Sequence, residues 1–591
     1  MSAATVWRGL VVLGVSLGYL IYLFRPFHAA FWNTGMGDWM DPYFINYLLE
    51  HWYQSLARFN DPASPPMYYP VGHTLGYSHA LILYVPFYVA MRLFVHPFVA
   101  YSLALAAVME TGIVCLYLLL RRRFHLPFLE SLLLTVFFFT SHNVVNGGVS
   151  VWSQRASVFL IPPILYLGAI SYDTADGYSR RGGGALTGFL ATSLFTHDFY
   201  TALFAAFFAA LAIPAFARAP LFATFVTFWR SLRRSERAAL VVAVAASAWT
   251  AFVLLSGGVE LRLAGVRIAS HAWRRPAWLA GLSLLAFLAL RRHHWRRAIP
   301  AWFDSWLRAC AAGAAIGVMV FLWIYFPAIR QNRSFPDADL LDVLTARDPW
   351  HAYSRLGSFC LVSALAIVAI LPWSRADGRT RRAAAWSIAI SLIVLFIPVR
   401  NGDLSLWMMI FRWLPGFSVI RDPTRIIYVY ELAAVMAGAW LLTRLPRTPA
   451  LRAGVVVALV ALIATGHNRD IFKGYRPRAD FHRWVEAPIA VDPACRSFFI
   501  TGASPEYMSR SSHMWTLYGI DAMFVSLRVS LPTLNGYSAW TPVGWHLLYP
   551  HEADYPGRVR EWIDQHHLTG VCAFDIDART MSPFDQARRA D

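Results

Sequence analysis

Apolar stretches about 20 residues long recur from Trp7 to about residue 466, and that repeat restricts the fold more than any other feature. A helix of this length crosses a hydrocarbon core of roughly 30 Å with every backbone N–H and C=O satisfied inside the segment. A membrane barrel would instead show short segments of alternating polarity, and these are absent. Of the 591 residues, 57% are hydrophobic and 15% are charged, where a soluble domain carries about 25% charged residues. The chain reads as a polytopic α-helical membrane protein.

A formal net charge of +18 would suit a nucleic-acid binder, but the basic residues do not gather on one face. They stand in clusters between apolar runs: Arg121-Arg122-Arg123, Arg180-Arg181, Arg230 to Arg237, Arg291 to Arg297, Arg375 to Arg382 and Arg444 to Arg452. That is the positive-inside distribution of cytoplasmic loops. Nucleic acid is set aside as a partner, and the lipid bilayer takes its place.

The first run, Trp7 to Phe24, is long, meets Arg25-Pro26 at once and lacks a small-x-small cleavage site, so it reads as an uncleaved first helix. With its N-terminus inside, residues from about 25 to 97 form a first outer loop. Leu81 to Phe94 is read as a helix along the interface and Phe98 to Leu120 as the second span, which keeps the arginine triplet inside. Further spans fall near 127–143, 155–171, 185–199, 200–217, 238–256, 276–290, 306–326, 355–372, 382–398, 424–443 and 452–466, about thirteen in all. Arg180 to Gly184 reads as a flexible loop. The expected division is a membrane module over 1–466 and an extracytoplasmic α/β domain over 467–591. In that domain Phe498 to Thr501 and Val571 to Phe574 look like strands, and Ala479 to Glu486 and Gly557 to His566 like amphipathic helices. Cys115, Cys310 and Cys360 read as packing residues. Cys495 and Cys572 are free to pair in an oxidising compartment, and the sequence leaves their pairing open.

The densest chemistry lies in the first outer loop, where Thr34-Gly35-Met36-Gly37-Asp38-Trp39-Met40-Asp41-Pro42-Tyr43 sets two carboxylates among glycines and aromatics. A carboxylate there can act as a general base toward an acceptor hydroxyl while a glycosyl–phosphate bond breaks. The plainer reading makes Asp41 the cap of a helix through Tyr43 to Trp52, with Pro42 at its first position. The loop continues through Asn60-Asp61-Pro62, then Met67-Tyr68-Tyr69-Pro70-Val71-Gly72-His73-Thr74-Leu75, then Ser78-His79.

This order resembles the first extracytoplasmic loop of bacterial GT-C superfamily glycosyltransferases. Leu414-Pro415-Gly416-Phe417 with Arg421-Asp422-Pro423-Thr424-Arg425, and Asn535-Gly536-Tyr537-Ser538, are similar to short segments of uncharacterised members. The resemblance implies a GT-C-like membrane fold and a transferase of the bacterial inner membrane. It implies a polyprenyl-phosphate-linked sugar as donor and a glycan, lipid or protein as acceptor. It also implies Asp38 as the catalytic acid, with Asp41 as its substitute. Many members carry a metal-linked acid in the second outer loop, but Asn143 to Gln154 holds none, so the cofactor stays unassigned.

Trp39, Tyr43, Tyr68 and Tyr69 offer flat faces to a sugar, and Arg421 and Arg425 offer fork-shaped donors to a phosphate. Arg330, Arg333 and Arg400 also fall at outer span ends, and Asp337, Asp339, Asp403 and Asp422 are the salt-bridge partners of the competing scaffold reading. Thr196-His197-Asp198-Phe199-Tyr200 joins two spans on the outer side and is placed near the acceptor pocket. His73, His79, His142 and His197 lie at the same face but lack metal-ligand spacing, so no metal ligand is assigned. Glu110 and Glu431 lie inside apolar spans, where an ionisable group is a functional candidate or pairs with a polar neighbour. If they served a proton or ion path, the chain would be a transporter or lipid flippase instead. No GK[ST] phosphate loop and no HExxH is present.

Overall fold

A computed structural model describes residues 3–25, 34–36, 41–145, 153–216, 229–256, 259–263, 266–270, 274–291, 301–331, 356–371, 376–401, 404–407, 420, 422–446, 448–466, 475–501 and 514–584. Among the described residues the apolar runs are mainly helical. In chain order they are α1 (Ala3–Leu23), then, after the first long loop with its strand β1 (Thr34–Met36) and helices α2 (Asp41–Arg58) and α3 (Val85–Arg92), α4 (Pro97–Arg122) and α5 (Phe128–Phe139). There follow α6 (Ile161–Asp173), α7 (Gly177–His197), α8 (Phe199–Phe216) and α9 (Arg234–Ser256). A hairpin of β2 (Val259–Leu263) and β3 (Val266–Ser270) precedes α10 (Arg274–Arg291), α11 (Ala301–Gln331), α12 (Gly357–Ile370) and α13 (Gly378–Phe396). A second hairpin, β4 (Arg400–Asn401) and β5 (Leu404–Ser405), leads to α14 (Ile426–Arg444) and α15 (Pro449–Gly466).

Among the described residues, five helical segments are long and apolar enough to cross a membrane: Val6–Leu23, Pro97–Arg122, Arg155–Asp173, Ser305–Gln331 and Pro423–Arg444. Large apolar side chains point outward on several helices, with Val244 61%, Leu285 64%, Met319 61% and Val457 66% exposed. A band of that kind on so many helices is stable only against lipid.

Residues 180–184 are helical and not a flexible loop, because α7 begins at Gly177. The glycines there serve close packing. A Cβ on Gly183 would lie 2.4 Å from Ser171 Cβ, one on Gly188 would lie 2.0 Å from the Cys310 carbonyl oxygen, and one on Gly313 would lie 1.8 Å from that of Ala185. Small residues let α7 and α11 approach backbone to backbone, as membrane helices do where no hydrophobic force draws them together. The interfacial segment expected over 81–94 is shorter, α3 being eight residues, too short to cross. It is pinned to α2 by Arg92 Nε donating to Glu50 Oε2 at 2.8 Å and by the Tyr88 hydroxyl donating to the same oxygen at 2.7 Å.

After β6 (Tyr475–Pro477) come α16 (Arg478–Phe481), β7 (Ala490–Val491), β8 (Ser497–Thr501), α17 (Met514–Val529), α18 (Tyr555–Gln565), β9 (Val571–Asp575) and β10 (Thr580–Pro583). The sheet order is β7-β10-β9-β8, with β8 and β9 parallel and β10 antiparallel to β9. Cys495 and Cys572 form a disulfide beside β8 and within β9. This module is built onto the first loop. Strand β6 pairs antiparallel with β1, Tyr68 N–H donates to Asn535 O at 3.1 Å, and Thr533 N–H donates to Pro66 O at 3.0 Å. Helix α17, which the sequence analysis does not anticipate, packs Phe524 on the rings of Tyr43 and Tyr47 of α2.

Candidate active site

Four chain segments end at one place and bring their charged residues together. Asp198 separates α7 from α8: its extended backbone (φ −150°) stops the first helix, and its carboxylate accepts from Tyr200 N–H at 3.1 Å in the first turn of the second. Only 2% exposed, that carboxylate also accepts from the hydroxyls of Ser157, at 2.9 Å, and Thr201. Asp422 caps the 3-10 turn Pro423–Arg425 that leads into α14, accepting from Thr424 N–H. It receives Arg425 Nε at 3.2 Å and Arg155 Nη2 at 3.2 Å, Arg155 arriving from the 3-10 turn Ser153–Leu160. Burial pushes the Asp422 carboxyl up, but the Arg425 and Arg155 charges outweigh it and hold the group below the usual carboxylate range. Arg155 also bonds the Tyr428 hydroxyl, and the Arg425 guanidinium lies 4.5 Å from the centre of the Tyr200 ring.

The first loop delivers two more members. Asp41, the first residue of α2, accepts from the Tyr537 hydroxyl at 2.9 Å and acts electrostatically on Arg155, Arg425 and His79. His79 lies with Nδ1 3.6 Å from Asp198 Oδ1. Its neighbours fix it there, Ala80 N–H donating to Thr196 O at 3.2 Å and the Tyr325 hydroxyl donating to Ser78 O at 3.0 Å. Burial lowers the His79 imidazole below its ordinary value, against the opposing pull of Asp198.

An apolar cavity of about 530 Å³ is walled in part by residues that lie four positions further along the chain than members of the cluster or their partners. Ser157 leads to Ile161, Asp198 to Ala202 and Arg425 to Val429, and these three with Leu194, Phe208 and Ala433 are among its walls. Two of its polar side chains satisfy each other, Ser391 and Tyr430 lying 2.6 Å apart.

Of the residues singled out in the sequence, Asp41, His79, Asp198, Asp422 and Arg425 meet in this cluster. Asp38, Trp39 and Arg421 lie outside the described residues. Tyr43 is buried and donates to Asp521 at 2.6 Å; Tyr68 is wholly buried with its hydroxyl 3.1 Å from that of Ser538. Tyr69 bonds through its backbone to Thr533 O and accepts from Trp562 Nε1. His73 adopts φ 56° ahead of the turn Thr74–Tyr77, its N–H on Ser64. His197 is wholly buried and accepts Leu83 N–H at 3.2 Å through Nδ1. These five shape the loop that carries Asp41 and His79.

Arg155, Tyr428 and Tyr537 join the cluster without having been singled out as site residues. An arginine at the start of an apolar span was the available signal for the first. Asp422 pairs with Arg425 as the scaffold reading expected. Glu110 accepts from Ser16 at 2.7 Å and Glu431 from Asn143 at 2.7 Å and from Ser358, so each carboxylate has a polar neighbour. Among the described residues no three His, Cys, Asp or Glu side chains are grouped to hold a metal ion.

No family model and no curated protein matches the chain. Among solved structures, it is similar to the crystal structure of the Archaeoglobus fulgidus oligosaccharyltransferase tethered with an acceptor peptide containing the NVT sequon via a disulfide bond. The two are 11% identical with a TM-score of 0.43, the likeness covering 96% of this chain and 68% of that one. At that level the likeness carries no argument about activity.

Proposed function

We propose that the chain is a membrane glycosyltransferase that takes its sugar from a polyprenyl-phosphate-linked donor at the outer face of a bacterial inner membrane. The observation that carries this reading is the grouping of Arg155 and Arg425 with Asp41 and Asp422, on segments that continue into walls of the apolar cavity. An amphipathic donor needs both halves of that arrangement. Its phosphate requires guanidinium donors in a place shielded from water, and its prenyl chain requires an apolar space within reach of them. The GT-C resemblance of the first loop points the same way.

In this reading the acceptor hydroxyl attacks the anomeric carbon while the bond from that carbon to the phosphate oxygen breaks. A carboxylate takes the hydroxyl proton, and the leaving prenyl phosphate keeps its new charge on Arg425 and Arg155. Asp38 and Asp41 are the candidate bases. Trp39 and His79 face the sugar, Arg421 joins Arg425 at the phosphate, and Tyr43, Tyr68, Tyr69, His73 and His197 support the site from behind. The terminal module binds the acceptor or caps the site.

The test is transfer of radiolabelled sugar from a panel of polyprenyl-phosphate donors in proteoliposomes, comparing the native chain with D38N and D41N. One of the two substitutions is expected to abolish transfer in a chain that still inserts. Full activity in both would end the assignment of a first-loop base. A native chain that transfers no label from any donor would overturn the transferase reading and turn attention to solute or lipid flux, with E110Q and E431Q as the variants.

A further inference from the structure

The terminal module reaches the cluster through the side chain of Tyr537. The Tyr537 hydroxyl donates to Asp41 Oδ1 at 2.9 Å, across 496 residues of sequence. We infer that Tyr537 is a positioning residue that fixes the Asp41 carboxylate for proton abstraction, so that the terminal module completes the active site; this rests on the transferase reading above with Asp41, of its two candidate bases, as the one that acts.

Each residue of the segment Asn535-Gly536-Tyr537-Ser538 is committed to holding that hydroxyl in place. The wholly buried Asn535 accepts Ile500 N–H at 2.8 Å through its side chain and donates to the Tyr555 hydroxyl at 2.9 Å. Its carbonyl accepts Tyr68 N–H at 3.1 Å, which ties the segment to the first loop. Gly536 lies against the Tyr68 ring so closely that a Cβ would stand 2.5 Å from it, and no other residue fits. Ser538 meets the Tyr68 hydroxyl at 3.1 Å. The Tyr537 ring packs edge-on to Phe44 of α2 with centroids 5.3 Å apart, one turn from Asp41 itself.

The chemistry of the contact matters as much as its rigidity. Asp41 sits within the fields of Arg155 and Arg425. A neutral phenol donor fixes one oxygen without supplying a charge. A contact that served only to glue the module to the loop would not need to end on a carboxylate of the cluster.

The experiment compares wild type, Y537F, D41N and the double variant as full chains in proteoliposomes, reading kcat, KM for donor and thermal midpoint. Phenylalanine keeps the ring against Phe44, so folding is retained. Y537F is expected to lose about tenfold or more in kcat, with KM within about twofold and the midpoint unchanged. The double variant is expected to be no slower than D41N, because the two residues act as one unit. The assignment is overturned if Y537F keeps wild-type kcat, if its loss follows the thermal midpoint, if the two losses multiply, or if D41N is as active as wild type. A wild-type chain that transfers no sugar overturns the transferase reading and this assignment with it, a result distinct from an active wild type beside an equally active Y537F.

Discussion

Arg425 is gripped from two directions, by Asp422 at its Nε and by the Tyr200 ring against its guanidinium face. Lysine at this position would keep the charge but lose both the planar face and the fork. R425K is therefore expected to raise the donor KM by about tenfold or more, measured in the transfer assay, while the chain still folds. A second residue-scale consequence concerns His51 on α2, whose imidazole is wholly buried and lies 3.0 Å from Pro62 O. Burial pushes it down to about 4, against the smaller upward pulls of the Pro62 carbonyl and the Asp61 charge. Between about pH 6.5 and 4 the unfolded imidazole takes a proton that the folded one refuses. Stability therefore falls with acidification through that window, by about 1.4 kcal/mol per pH unit at its steepest. The thermal midpoint of the wild type is expected to drop between pH 7 and 5, and that of H51Q to drop less. At this scale Asp41, His79 and Arg425 were legible because carboxylate, imidazole and guanidinium groups at span ends stand out against an apolar chain. Arg155 was overlooked because a single basic residue heading a helix reads equally well as a boundary.

At the scale of elements, hydropathy located helices along the chain, while residues 180–184, the ends of the interfacial helix and helix α17 departed from the expectation. Three glycines in a row at 182–184 read locally as a flexible loop, since glycine lowers helix propensity by about 1 kcal/mol. The approach of α7 to α6 and α11 reverses that reading, because only glycine lets Gly183 and Gly188 meet their neighbours. G188L is expected to destabilise the chain by about 1–3 kcal/mol, seen as a lower thermal midpoint in detergent, with G281L as the tolerated control. Nothing lies within 4 Å of a Cβ on Gly281. Helix α17 went unread for the opposite reason: buried residues surround it on almost every side, so it shows no amphipathic stripe.

For the whole molecule, the terminal module and the first loop share one core, with Tyr43, Tyr68, Phe498 and Phe524 in a single buried cluster. A chain ending at residue 466 is expected to leave the faces of Tyr43, Tyr47 and Tyr68 uncovered and to aggregate. Coexpression of 1–466 with 467–591 is expected to recover a complex that purifies together through detergent; independent, monodisperse halves would show that the shared core is dispensable. The sequence by itself determined that the chain is a set of membrane-length helices with a short α/β tail. Hydropathy and helical capacity are properties of contiguous segments, and a bilayer reads them segment by segment. Tertiary structure decided that residues 41, 79, 155, 198, 422, 425 and 537 share one site. That convergence depends on which helix ends stop together and on how the tail folds back over the first loop, and such packing between distant segments leaves no periodic trace in the chain.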